Sequence, residues 1–255
     1  VACILLGSSL TFKKASDTVF YLKEGCVATV LSWVTLSFFG ALPFVITGEI
    51  PSFTDAIFET VSGFTTTGAS ILSNVEALSH TSLFWRSFTH WIGGMGVLVF
   101  LLAIVPLSGG SNMNLMRAES PGPSVGKLVP KIRYTARILS VIYFLLTIIE
   151  LLALLFVKMP WFDALCISIG TAGTGGFGIL NSSCAAYSVS AQWIITIFMI
   201  LFSINFNAYY LILYGQIKNA LKMEEVRTFL IIVFVAIAFI TWDISSMFDS
   251  FFEAI

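Results

Sequence analysis

Four stretches of this 255-residue chain contain no Asp, Glu, Lys or Arg: between Glu24 and Glu49, Arg86 and Arg117, Asp163 and Lys218, and Arg227 and Asp243. A helix needs about 20 mainly apolar residues to cross the hydrocarbon of a bilayer. Within lipid it satisfies its own backbone hydrogen bonds. The composition agrees with that reading. Charged residues make up 11% of the chain, against roughly 25% in soluble domains. Mean hydropathy is +0.94, and the chain holds 24 Phe and 6 Trp. A soluble globule of this size cannot bury so much apolar surface. A soluble enzyme and a disordered tail are excluded, and a net charge of −1 offers no basis for nucleic-acid binding.

The charge-free runs predict spanning helices at 24–47, 83–107, 134–157, 190–214 and 225–243, with the end of another at 1–10. The chain starts at Val1 inside an apolar run, without a signal-peptide pattern. An internal fragment is therefore expected. Lys13, Lys14 and Lys23 fall in one short loop, Arg117, Lys127, Lys131, Arg133 and Arg137 in a second, and Lys218, Lys222 and Arg227 in a third. The positive-inside rule places all three in the cytoplasm. The opposite side carries most of the acid, including Glu49, Asp55, Glu59, Glu76 and Asp163. Cys3, Cys26, Cys166 and Cys184 are scattered without metal-ligand spacing.

Two outward segments, about 48–82 and 158–189, are too long for hairpin turns and too apolar for open loops. Ser52–Ser62 and Trp161–Gly170 have the length of re-entrant half-helices. These segments repeat each other. Asp55–Ser70 reads DAIFETVSGFTTTGAS and Asp163–Gly178 reads DALCISIGTAGTGGFG, at a constant spacing of 108 residues that pairs Thr66 with Thr174 and Gly68 with Gly176. Pro51 and Pro160 precede the two Asp residues, as at a helix start. Asp249–Ile255, DSFFEAI, opens a third copy. The chain divides accordingly: 1–23, the end of a helix and a cytoplasmic loop; 24–107, a first pore unit; 108–133, a cytoplasmic loop; 134–214, a second pore unit; 215–255, the start of a third. The fold class is an all-α membrane protein of repeated helix, re-entrant pore helix, loop and helix units.

Such a unit has specific physics. Asp near the half-helix N-terminus complements its positive dipole end, and the C-terminal end favours a cation. Glycine in the returning loop allows φ > 0, so that successive carbonyls can face one side. Exposed carbonyls at membrane depth are tolerated where they line protein or a polar path. A ring of them can replace the water shell of a potassium ion. The loops at 63–70 and 171–178 are read this way. Gly93, Gly94 and Gly96, by contrast, sit inside a span and read as close-packing positions.

Ser62–Ser70, SGFTTTGAS, followed by Phe84–Gly96, FWRSFTHWIGGMG, resembles the TrkH-type potassium uptake proteins of the Trk/Ktr/HKT superfamily. Gly170–Gly178, GTAGTGGFG, resembles their second filter loop, and Ile204–Tyr210, INFNAYY, is similar to the helix that follows it. The resemblance covers essentially the whole chain. It implies four units around one pore, potassium uptake across the plasma membrane (the inner membrane in a bacterium), and no cofactor beyond the transported ion. It implies filter residues Thr65, Thr66, Thr67, Gly68 and Ala69 in the first loop, and Thr171, Ala172, Gly173, Thr174, Gly175, Gly176 and Phe177 in the second. Potassium would sit at Thr66, Thr67, Gly68, Thr174, Gly175 and Gly176. Some superfamily members with serine at the Gly68 position pass sodium, so a sodium-permeable transporter is the near alternative. The resemblance further implies a homodimer and a cytosolic nucleotide-binding subunit of the TrkA or KtrA type, toward which Arg117–Arg137 would face. With two filter loops, the 255-residue chain alone is expected not to conduct.

Other polar residues carry narrower expectations. Glu150 lies within a span and either hydrogen-bonds Asn205 or Asn207 or sits near a vestibule. Arg86 pairs with Glu59 or Glu76. His80 occupies an exposed loop, and His90 an interfacial cluster with Trp85 and Trp91. An intramembrane enzyme is disfavoured: Ser70 could meet His90, but its counterpart in the repeat is Gly178. A secondary transporter with broken helices would need inverted repeats, whereas these two units run in parallel.

Overall fold

The computed structural model describes residues 22–96 and 132–244. The expected helix end at 1–10, Cys3, the basic residues Lys13, Lys14, Arg117, Lys127 and Lys131, and the third copy at 249–255 lie outside them. The described residues are all-helical, in two successive units. The first comprises α1 (Leu22–Thr47), α2 (Phe53–Phe64), a 3₁₀ turn at Val75–Ala77 and α3 (His80–Met95). The second comprises α4 (Ile132–Phe156), α5 (Trp161–Ala172), a 3₁₀ turn at Ser183–Ala186, α6 (Val189–Ser203) and α7 (Phe206–Leu213). α8 (Ile217–Lys222) and α9 (Glu224–Ile244) follow. Cys26–Thr47, Ala136–Phe156 and Glu224–Ile244 are long and apolar enough to cross a membrane.

The helix starts are written locally. Ser52 accepts from Asp55 N at 3.4 Å, Ser79 from Ser82 N at 3.3 Å, and Ser188 from Ala191 N at 3.4 Å, each satisfying an otherwise orphaned donor. Asp55 and Asp163 stand in the first turns of α2 and α5. Both half-helices are 12 residues long, too short to span. Each packs within its own unit: Ala56 of α2 joins Ala41 and Phe44 of α1, while Ala164 and Ile167 of α5 join Leu154 of α4 and Ile195 of α6. The units meet where Leu83 of α3 packs with Cys166 of α5 and Ile179. Large apolar side chains on α9, such as Phe234 (67% exposed) and Ile232 (61%), face outward, as the wall of a membrane protein requires.

Two expected spans are corrected. The span at 190–214 is not continuous: α6 and α7 are bent by 88° at residues 204–205. Asn205 causes the break by capping α7, its Oδ1 accepting from Asn207 N at 2.9 Å while its Nδ2 donates to Glu225 at the start of α9. In the expected span 83–107, the helix begins earlier, at His80, and closes at Gly96 with φ +76, whose N–H donates to Gly93 O at 2.8 Å. Residues 97–107 lie outside those described.

Glu150 meets neither asparagine. Asn205 is taken by Glu225, and Glu150 is fully buried on α4 beside Thr171 of α5, without a hydrogen bond of ordinary geometry among the described residues. His80 opens α3 rather than occupying a loop; it remains exposed, with its ring 4.5 Å from that of Phe162. His90 is fully buried and stacks on Phe177, 4.0 Å between ring centres, rather than joining an interfacial cluster. Its ring partner Phe177 belongs to the second unit.

Candidate functional site

The two half-helices each end in a left-handed threonine. In the first, Thr66 N donates to Gly63 O at 3.0 Å and Thr67 N to Ser62 O at 2.9 Å. This places Thr66 in the left-handed position that ends many helices and that glycine ordinarily fills. Thr66 has φ +53, and two residues on Gly68 has φ +75. In the second, Thr174 N donates to Thr171 O at 2.7 Å, Thr174 has φ +53, and Gly176 has φ +85. A β-branched residue at positive φ is a genuine backbone outlier. Finding it twice, 108 residues apart, is a structural repeat beneath the sequence repeat. Strain of this kind persists where surrounding structure enforces it, and it clusters at functional sites.

Thr65 caps α2, its hydroxyl donating to Val61 O at 2.7 Å and hydrogen-bonded to the Thr67 hydroxyl at 2.8 Å. Thr65, Thr67 and Ala69 are exposed, and Thr66 and Gly68 half-buried. Both loops start two residues later than expected: Gly63 and Phe64 form the buried last turn of α2. Thr171 and Ala172 form the buried last turn of α5 and Gly173 its cap. Thr174 and Gly176 are exposed, Gly175 half-buried and Phe177 buried.

The loops touch. A Cβ added to Gly68 would collide with the carbonyl oxygen of Gly175. Gly176 is open, with nothing within 4 Å of a Cβ added there, and a cavity of about 230 Å³ lies alongside, lined in part by Thr174, Phe177 and Met199. Gly93 and Gly94 are close-packed as expected, against the loops themselves, since a Cβ on Gly93 would strike Phe64 O and one on Gly94 would come 2.6 Å from Gly173 Cα; Gly96 instead ends α3 at φ +76.

A buried ion pair stands behind both loops. Arg86 Nε donates to Glu59 Oε1 at 2.5 Å, with the two side chains 3% and 0% exposed. Glu59 also accepts from Ser70 Oγ at 3.0 Å and Ile71 N at 3.0 Å. Of the two expected partners Glu59 is the one; Glu76 instead accepts from Asn181 N at 2.9 Å, joining the outer loops of the two units. Sequence reasoning found the pair but missed its reach. Arg86 Nη1 donates to Gly178 O at 2.8 Å, and its Cζ lies 3.5 Å from the centre of the Phe177 ring. The repeat carried a clue, since Phe177 replaces the small Ala69 of the first loop.

The arrangement therefore aims two helix C-termini, each with partial negative charge, at two loops of exposed backbone and threonine hydroxyls. Such groups suit a dehydrated monovalent cation. Among the described residues no group of three or more His, Cys, Asp or Glu could hold a metal ion.

Comparison with known proteins agrees. The TrkH family model, described as "Cation transport protein", matches residues 1–253. The Trk system potassium uptake protein TrkH of Salmonella typhimurium is 41% identical over 213 residues, 82% of this chain and 44% of that protein. TrkG of Escherichia coli is 35% identical over 254 residues, 97% of this chain and 52% of that protein. Among solved structures, the potassium transporter TrkH from Vibrio parahaemolyticus superimposes with a TM-score of 0.78 at 29% identity, covering 95% of this chain and 50% of that one. The chain thus spans about half the length of the curated relatives it matches. On the strength of the family match and these identities, it belongs to the TrkH family of cation transport proteins.

Proposed function

We propose that the loops at 65–70 and 173–178 are two of four filter loops in a potassium uptake pore, the other two supplied by further units of the intact transporter. The observation that carries this reading is the repeated φ pattern, positive at Thr66 and Gly68 and again at Thr174 and Gly176. Left-handed residues alternating with ordinary ones turn successive carbonyls toward one side, where together they replace an ion's hydration shell. The helix C-termini behind them add negative potential. Thr66, Thr67, Gly68, Thr174, Gly175 and Gly176 would line the ion path, while Thr171, Ala172 and Gly173 support it from the end of α5. The names of the relatives, potassium uptake proteins, favour potassium over sodium. By the same family reading, the transporter sits in the plasma membrane as a dimer and engages a cytosolic nucleotide-binding subunit.

Potassium and sodium uptake by the intact transporter in transport-deficient cells, with and without Gly68→Ser, tests this reading. A serine there meets both positive φ and the Gly175 carbonyl, so the potassium-to-sodium ratio is expected to fall. An unchanged ratio removes Gly68 from the filter.

A further inference from the structure

The Glu59–Arg86 pair is built in the first unit, but its far end lies on the second. Arg86 belongs to α3, the helix leaving the first loop, yet it holds the Gly178 carbonyl and covers the Phe177 ring of the second loop. His90, one turn further along α3, stacks on the same ring at 4.0 Å and 19°. Two groups so close to one ring centre occupy opposite faces of it. Phe177 directly follows Gly176, so the exit of the second loop is gripped by two residues of the first unit. Glu59 meanwhile grips the exit of the first loop through Ser70 and Ile71.

Among the described residues the second unit has no such clasp. Through the 108-residue spacing Glu59 matches Ile167, and counted from the capping residues Ser79 and Ser188, Arg86 matches Ile195. Ile167 and Ile195 are 4% and 6% exposed and share one core cluster. The same place in the fold is filled there by two apolar side chains. The half-helix therefore packs without charge, consistent with the general finding that apolar residues can replace a buried ion pair. Isoleucine, however, cannot bind the neighbouring loop's carbonyl.

We propose that Arg86 is a positioning residue for cation selectivity: through Gly178 and Phe177 it fixes the second filter loop relative to the first. The proposal rests on reading these loops as a filter. Its planar guanidinium, with several fixed donors and a stacking face, meets Glu59, Gly178 and Phe177 at once.

The test uses the intact transporter in proteoliposomes, reading the potassium-to-sodium uptake ratio, with size-exclusion profiles to report folding. The double variant Glu59→Ile with Arg86→Ile copies the second unit's own solution. It is expected to fold while its ratio falls roughly tenfold, the scale of one charge-assisted hydrogen bond. Arg86→Lys, which keeps the charge but loses the planar fork, is expected to fall between the double variant and the wild type. Phe177→Leu leaves the ion pair alone and covers the case in which the double variant does not fold; its ratio is expected to fall too. A wild-type ratio in the folded double variant, or in Phe177→Leu, beside a lowered ratio in Gly176→Ser overturns the clasp and leaves the filter reading standing. Wild-type ratios in all three overturn both.

Discussion

Gly68 of the first loop lies against Gly175 of the second so closely that any side chain on Gly68 would collide with the Gly175 carbonyl oxygen. Gly176, its counterpart by repeat, shares the positive φ but faces open space. The two glycines therefore differ in what a methyl group costs. Gly176→Ala meets backbone strain alone, about 1–2 kcal/mol. Gly68→Ala meets that strain and the clash, and overpacking adds about 1–3 kcal/mol. Thermal unfolding in detergent is expected to rank Gly68→Ala clearly below Gly176→Ala; equal midpoints would contradict the contact between the loops.

Thr66 and Thr174 invite the opposite change. Glycine relieves their left-handed strain but adds freedom to the unfolded chain, and the two effects are each about 1 kcal/mol. Thr66→Gly is expected to leave stability within about 1 kcal/mol of wild type while weakening ion discrimination, because the strained residue holds the loop's shape. A variant that keeps full potassium-to-sodium discrimination would assign the strain no role in selection.

The spans at 24–47, 134–157 and 225–243 and the repeat were legible in the sequence because charge exclusion and a 108-residue spacing are properties of one dimension. Asp55 and Asp163 announced the half-helix starts, and Thr66 and Gly68 with Thr174 and Gly176 announced the loops. The break at residues 204–205 was not legible. Its cause is the Asn205 side chain, which caps α7 through Asn207 N and donates to Glu225, twenty residues on, and the second of these contacts leaves no mark in the local sequence. His90 was misplaced for a related reason: Trp85 and Trp91 beside it suggested an interface, while its ring partner Phe177 comes from the other unit. Contacts across the repeat leave no periodic trace in either copy.

The buried ion pair carries a stability prediction of its own. Glu59→Gln leaves the Arg86 charge buried and unpaired, and removing one partner of such a pair costs about 3–5 kcal/mol. Arg86→Met does the same to Glu59. Since either change removes the shared interaction, the double variant Glu59→Gln with Arg86→Met is expected to lose far less than the two single losses added together, with a coupling of up to about 3 kcal/mol. Additive losses in thermal unfolding would show that the two side chains act independently.

Glu150 behaves differently because it has no comparable partner among the described residues. A fully buried acid without a well-formed hydrogen bond is a cost that an apolar residue of similar volume removes. Glu150→Met is expected to leave the unfolding midpoint unchanged or raise it, by the equivalent of about 1 kcal/mol. Lowered stability together with lost uptake would instead identify a partner for the carboxylate within the transport cycle.

At the outer end of the first unit, Glu49 holds the start of α3, accepting from Ser79 Oγ at 2.6 Å and Ser79 N at 3.1 Å. Burial alone would raise the Glu49 pKa, but the hydrogen bonds from Ser79 and Ser82 outweigh it and hold the group below its ordinary value. The sign of the pH effect follows. A carboxyl with a depressed folded pKa contributes stability that is fully present above its unfolded value and lost as pH falls through the folded one. The stability difference between wild type and Glu49→Gln is therefore expected to be constant near neutral pH and to vanish below the ordinary carboxylate range. Thermal unfolding of both proteins across an acid pH series measures it. A difference that persists at the acid end would mean that the hydrogen-bond geometry, rather than the charge, secures the start of α3.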